Sequence, residues 1–301
     1  MAAQGIPRTR GGYLTFAVGW GADVRQSKGL ALRDSGASDK STSDSVAVDF
    51  VGAKWRGSSM VWGMDIPSTF GDFWPRGGYE GTDGNWAKRL DEYFYKGGIS
   101  EEKKAAMLPG LREASLSYSI YVSKKLKSEP GSREDGRGLP FLPVEPHEVP
   151  EFYMAEKSST SLGSLIALNY GILAVDGKLK AIIERLEPGV HQFFPIEIRM
   201  PKGKIYSEPY YIVLIGQYID SFSPTKSKEA CWREPVTGKF THDESKKGFS
   251  GIALAKDAFG QAHLWREDGF VEYLTCLSDE LKSAIDQEGL RLPKHYKMME
   301  V

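Results

Sequence analysis

The stretch DGKLKAIIERLEPGVHQFFPIEIRM, residues 176–200, constrains the fold more than any other part of the chain. Leu179, Ile182, Ile183 and Leu186 recur at helical spacing and share one face of an amphipathic helix. Asp176 stands at the N-cap, where a side-chain oxygen accepts from the first turn's unpaired N–H groups. Pro188 and Gly189 end the helix. The period then changes to two: in HQFFPIEIRM an extended backbone sends Phe193 to one side and Phe194 to the other, which pins the strand between layers. Pro195, lacking an N–H, suits an edge or a bulge. His191 falls in the joint itself, where an imidazole can satisfy the loose carbonyls of the helix end.

The rest of the second half reads in the same way. EPYYIVLIGQYI, residues 208–219, is the most apolar strand and belongs in the centre of a sheet. AHLWRE and FVEYLT flank Asp268–Gly269, a dipeptide that favours a tight primed hairpin turn. In LSDELKSAIDQEGLRL, Ser278 caps a helix, Asp279 and Glu280 fill its first turn, Leu281 and Ile285 face inward, and Gly289 terminates it. The pattern predicts an α+β fold, an antiparallel or mixed β-sheet flanked by helices, with an elaborated N-terminal half.

That first half is less regular. YLTFAVG at 13–19 and SVAVDFVG at 45–52 read as strands around a polar loop at 26–45, and SSMVWGMDIP at 58–67 as a partner of the second. Residues 70–95 mix aromatics with glycines and predict irregular, aromatic-anchored structure rather than a helix. Ser100, Glu101 and Glu102 open a helix that stops near Pro109–Gly110, whereas EASLSYSIYVSKKL at 113–126 fits a strand or a helix equally. Residues 127–150 carry five prolines and mixed charge, the composition of a linker. The expected organisation is an elaborated region at 1–130, a Pro-rich linker at 131–150 and an α+β domain at 151–301. Lys124, Lys125 and Lys127 read as a solvated strip beside the linker.

Composition narrows the function. Hydrophobic residues at 41% and charged residues at 26% support a packed core. A net charge of −1 argues against a dedicated nucleic-acid binder, which carries a basic excess. The longest apolar runs are far too short to span a bilayer, and MAAQGIPRTRGGYLTF has no secretory-signal core, so a soluble, cytoplasmic protein is expected. Two distant cysteines, Cys231 and Cys276, fit free thiols in a reducing compartment. There is no phosphate-binding glycine loop, no G-x-S-x-G elbow and no His-Glu-x-x-His, and GWGADV at 19–24 lacks the third glycine of a dinucleotide site. Five scattered histidines give no metal-ligand spacing, so neither metal nor cofactor is expected. An enzymatic reading would need His191, His263 and Cys276 to converge.

The aromatic stretch has two readings: a satellite core, or a protein-binding surface. On the second, Phe73, Trp74, Tyr79 and Trp86 are the anchors. Asp72, Asp83 and Asp91, with Asp65, Glu80 and Glu92, make an acidic rim suited to a basic partner.

LEPGVHQFFPIEI after its short helix, and LSDELKSAIDQEGLRL near the C-terminus, together resemble a bacterial immunity-protein family of polymorphic toxin systems. It is the eleventh such family in the usual numbering, formerly a domain of unknown function. YYIVLIGQYIDSF and HLWRED are similar to it as well, so the resemblance covers about residues 148–293. It implies a protein that binds one cognate toxin or effector domain and neutralises it, by occluding its active site or blocking a needed motion. It carries over no catalytic residue, and no cofactor, nucleic-acid partner or membrane partner is expected. Asp176, Gly189, His191, Phe193, Phe194 and Ser278 are then structural, and the oligomeric state is left open. The alternative from another class is a hydrolase that reverses a toxin's modification through a His/Cys pocket.

Overall fold

The computed structural model describes residues 60–81, 85–105, 107, 117–127, 144–234, 239–271 and 274–301. The expected strands at 13–19 and 45–52 lie outside these residues, as do the loop at 26–45, Asp83, and most of the Pro-rich stretch. Residues 55–301 form one compact unit.

Two six-stranded mixed sheets organise this unit. The first contains β2 (Gly77–Tyr79), β3 (Phe152–Ala155), β4 (Leu165–Ala167), β5 (Leu173–Asp176), β6 (Gln192–Arg199) and β7 (Tyr210–Leu214), in the order β2-β3-β6-β7-β5-β4. Its β3–β6 pair is parallel and its other pairs are antiparallel. The second contains β1 (Val61–Met64), β8 (Tyr218–Ile219), β11 (Ala253–Leu254), β12 (Leu264–Glu267), β13 (Leu274–Ser278) and β14 (His295–Glu300), in the order β11-β14-β1-β13-β12-β8. A two-stranded ribbon, β9 (Trp232–Arg233) with β10 (Thr241–His242), stands apart. The α+β expectation holds, with mixed sheets. Strands from before and after the Pro-rich stretch share both of them: β2 pairs with β3, and β1 lies between β13 and β14.

Three apolar layers follow from strand alternation. Ile166, Ala174, Ile212 and Phe194 leave one face of the first sheet. They pack with Trp86, Leu90 and Phe94 of α1 (Asn85–Tyr95) and Tyr118, Val122 and Leu126 of α2 (Tyr118–Leu126). Leu165, Leu173, Val175, Val213 and Phe193 leave the other face. They meet Leu179, Ile182 and Ile183 of α3 (Gly177–Leu186), Leu264 and Leu277 of the second sheet, and residues of a C-terminal helix described below. Trp265, Cys276, Val61 and Met298 leave the far face of the second sheet, toward α4 (Lys246–Phe249) and α5 (Lys256–Phe259). Phe193 and Phe194 therefore belong to different layers, as their alternation predicts. Pro195 pairs with Tyr211 on one side, and β3 runs alongside β6 only at Glu197–Arg199, so the missing N–H falls where the strand has a single neighbour.

The helix signals hold. Asp176 Oδ1 accepts from Leu179 N at 2.8 Å, and Gly189 takes φ +75° just past α3, a conformation that costs glycine little. Ser278 Oγ accepts from Leu281 N at 3.1 Å at the start of α6 (Asp279–Gln287), whose Leu281 and Ile285 are buried in the middle layer. Ser100 Oγ accepts from Lys103 N, and 113–126 resolves as helix from Tyr118.

Four expectations change. Residues 85–95 are a helix, because the glycines of the aromatic stretch all precede Asn85 and none interrupts α1. The run 208–219 does not make one strand: the chain leaves the first sheet after Leu214 and enters the second at Tyr218. Gly216 makes this crossing possible, since a Cβ there would sit 2.0 Å from the Val190 carbonyl oxygen. The hairpin β12–β13 forms, but Asp268–Gly269 is not its whole turn: Glu267 pairs with Leu274, and Phe270 is drawn fully into the core between them. Lys125 is not solvated. It and Glu148 are side chains about 1% exposed, joined at 2.6 Å, and Glu148 also accepts from Tyr118 Oη at 2.8 Å and Glu145 N at 2.7 Å. Removing one member strands the other, so Lys125→Met is expected to cost about 3–5 kcal/mol in urea denaturation. A loss under about 1 kcal/mol, the value of a surface pair, would contradict the buried geometry.

Candidate partner-binding surface

Six of the seven expected contact residues are described, all but Asp83, and they divide by depth. Trp86 is 1% exposed, and its indole Nε1 donates to the Glu148 carbonyl at 3.0 Å. Tyr79 is 3% exposed and packs on Trp86 with ring centroids 4.9 Å apart. Trp86 from α1 and Tyr79 from β2 both face the core layer that holds Tyr153 and Ile166, and they are corrected from surface anchors to interior residues. Trp74 is half-buried against the middle layer, and Phe73 is half-buried under the Arg291 guanidinium at 5.3 Å. Asp91 caps α2, accepting from Ser119 N at 2.9 Å. Asp72 holds Arg291 at 2.7 Å, Glu80 holds Arg89 at 2.6 Å and Glu92 holds Lys96 at 2.8 Å. The acidic rim is thus largely taken up by internal partners.

What remains outside is a compact aromatic and arginine knuckle. Phe70 is 53% exposed and rests on Trp74 with centroids 4.5 Å apart. Arg76 lies over the Phe70 ring at 5.5 Å and pairs with Glu156 at 2.9 Å. Backbone bonds from Gly163 N to Asp72 O and Ala167 N to Phe73 O hold this segment against β4. Phe70 was missed in the sequence, where nothing separates it from Phe73. Tyr170 is a second exposed ring, 56% accessible at φ +61° and stacked on Tyr79.

The joint that suggested a base has another chemistry. His191 Nδ1 accepts from Gly216 N at 3.1 Å, which places the ring proton on Nε2, and Nε2 donates to Glu187 at 2.7 Å. The buried Glu187 carboxylate also accepts from Gln217 Nε2 at 2.6 Å, His263 N at 2.7 Å and Leu264 N at 3.0 Å. Burial pushes its pKa up, but the hydrogen bonds from His191, His263 and Gln217 outweigh that and hold it below the usual carboxylate range. His191 therefore locks the crossing between sheets by bonding a carboxylate, not by capping helix-end carbonyls.

His191, His263 and Cys276 do not assemble as a nucleophilic site. The His263 ring turns to Ser278 Oγ at 2.8 Å. Cys276 lies in the outer layer, on the face of β13 opposite Leu277, and burial pushes its thiol well above its ordinary value, away from the reactive thiolate. Among the described residues no group of histidine, cysteine, aspartate and glutamate could hold a metal ion. No helix among them is long and apolar enough to cross a membrane.

Two adjoining clefts lie beside α1. The open one, about 560 Å³, is lined by Lys88, Arg89, Glu92, Tyr93 and Lys96, among others. The narrower, about 150 Å³, continues from Tyr93 and Gly98 toward Lys103, Tyr118 and Glu145.

A family profile described as "Immunity protein family (Imm11)" matches residues 96–299. No curated protein matches the chain.

Proposed function

The chain belongs to the Imm11 immunity protein family, and from that premise we propose that it binds one cognate antibacterial toxin or effector domain and neutralises it by covering its active site or blocking a needed motion. The family match carries this reading. The knuckle supports it: a phenylalanine on a tryptophan, framed by arginines, has the composition of an interface hot spot. Its backbone is fastened to a sheet edge, so little ordering is left to oppose binding. Trp74 supports Phe70, and Arg291 lies over Phe73 of the same segment and pairs with Asp72. A cytoplasmic location goes with the same reading.

The expected result for Phe70→Ala is a cognate-toxin affinity weakened by at least about tenfold with the melting temperature unchanged, read by calorimetric titration and thermal unfolding. An unchanged affinity would remove the knuckle from the interface. The tagged protein should also retain from lysate of its source one stoichiometric protein that is toxic when expressed alone and harmless when expressed with it. Capture of no such protein from a lysate shown to contain toxin candidates would contradict the reading.

A further inference from the structure

Lys88 and Glu92 stand four residues apart on α1, and Lys96, one residue past its end, continues their row on the face directed away from Trp86, Leu90 and Phe94. That face walls the open cleft, and Tyr93 and Gly98 carry the groove into the narrower one. Around the two, four cations, Lys88, Arg89, Lys96 and Lys103, meet three carboxylates, Glu80 on Arg89, Glu92 and Glu145, which leaves Lys88 as the excess positive charge. Glu92 is held by Lys96 at 2.8 Å and Glu145 by Lys103 at 2.7 Å. Lys88 is exposed and makes no ion pair among the described residues. The groove is thus positive in a chain whose net charge is −1.

Its floor is fixed. The Tyr93 ring lies 4.1 Å from His147, and Arg89 donates to the His147 and Val149 carbonyls while pairing with Glu80. A rigid tyrosine among lysines offers contact area at little entropic cost together with charge steering.

We propose that the groove receives an acidic segment of the toxin, with Lys88 and Lys96 reading its carboxylates over Tyr93. The proposal rests on the immunity reading and reverses the partner charge expected from the sequence.

The test uses the full chain and a fluorescent oligoglutamate peptide, with oligolysine as the opposite-charge probe. Wild type is expected to bind oligoglutamate, more weakly as salt rises, and not oligolysine. Lys88→Glu/Lys96→Glu is expected to weaken that binding by about tenfold or more at unchanged melting temperature. Lys226→Glu/Lys228→Glu, which makes the same net-charge change on exposed residues elsewhere, is expected to retain it. Absence of oligoglutamate binding, or equal loss in both double variants, overturns the groove. A second arm measures protection of cells expressing the toxin. A toxin neutralised equally by wild type and Lys88→Glu/Lys96→Glu overturns the groove while leaving the immunity reading intact. Failure of wild type to neutralise any toxin overturns the immunity reading and with it the proposed occupant.

Discussion

Trp86→Ala is expected to destabilise the protein by about 3–5 kcal/mol, lowering the melting temperature on the order of 10 °C. The indole is fully enclosed by Tyr79, Tyr153 and the α1–α2 layer, so truncation leaves a large cavity rather than a dent in the surface. It also removes the donor that the buried Glu148 carbonyl uses. Glu148 is the acceptor for Lys125 and Tyr118, so the loss loosens the contact by which residues 145–149 hold both helices. Toxin affinity of the folded fraction is expected to stay within about twofold, since Trp86 has no exposed surface to offer. Urea denaturation with binding of the refolded sample separates the two effects. Weakened binding at unchanged stability would place Trp86 on the surface and contradict the packing.

Glu187→Ala has an expected cost of similar size, about 3–5 kcal/mol, for a different reason. The side chain is small, but four donors converge on it from three separate segments, and its removal strands the buried His191 Nε2 and Leu264 N and takes an acceptor from His263 N and Gln217. The pH dependence identifies the effect. Because Glu187 is held below its ordinary value in the folded state, its contribution is complete above about pH 4.5 and is lost as pH falls through the folded value. The variant should therefore lack the wild-type loss of stability in acid. Glu267 acts with opposite sign: burial pushes it to about 7 despite donors from Ser221, Phe222 and Gly269, so it favours folding at low pH and loses that advantage as pH rises from about 4.5 through 7. That limb should be the same in wild type and Glu187→Ala. A variant whose acid limb matched wild type would assign the acid loss to other carboxylates.

These two residues show where sequence reading succeeds and where it stops. Asp176, Gly189 and Ser278 were legible because a cap acts within three residues of itself. Phe193 and Phe194 were legible because strand alternation is local. His191 was recognised as structural, but its partners Gly216 and Glu187 meet it only through the crossing between sheets, which a continuous apolar run conceals. Lys125 looked solvated because its partner, Glu148, lies at the far end of the Pro-rich stretch. Trp86 looked like a surface anchor because composition does not say which side of a helix faces inward, and nearby glycines masked the helix itself. The basic groove was illegible for a related reason: acidic residues outnumber basic ones there in the sequence, yet in the fold Asp91 bonds the start of α2 and Asp72, Glu80 and Glu92 pair with arginine or lysine.

Stoichiometric occlusion of the toxin, as opposed to turnover, is checked by titrating toxin activity. A fixed concentration of active toxin, far above the dissociation constant, is mixed with increasing amounts of the protein and its residual activity is followed in time. The expected result is a linear fall that reaches zero at a fixed stoichiometric ratio and does not change on further incubation. Progressive loss of all activity with a small fraction of one equivalent would contradict it, because only an enzyme acting on the toxin or its product could neutralise many molecules in turn.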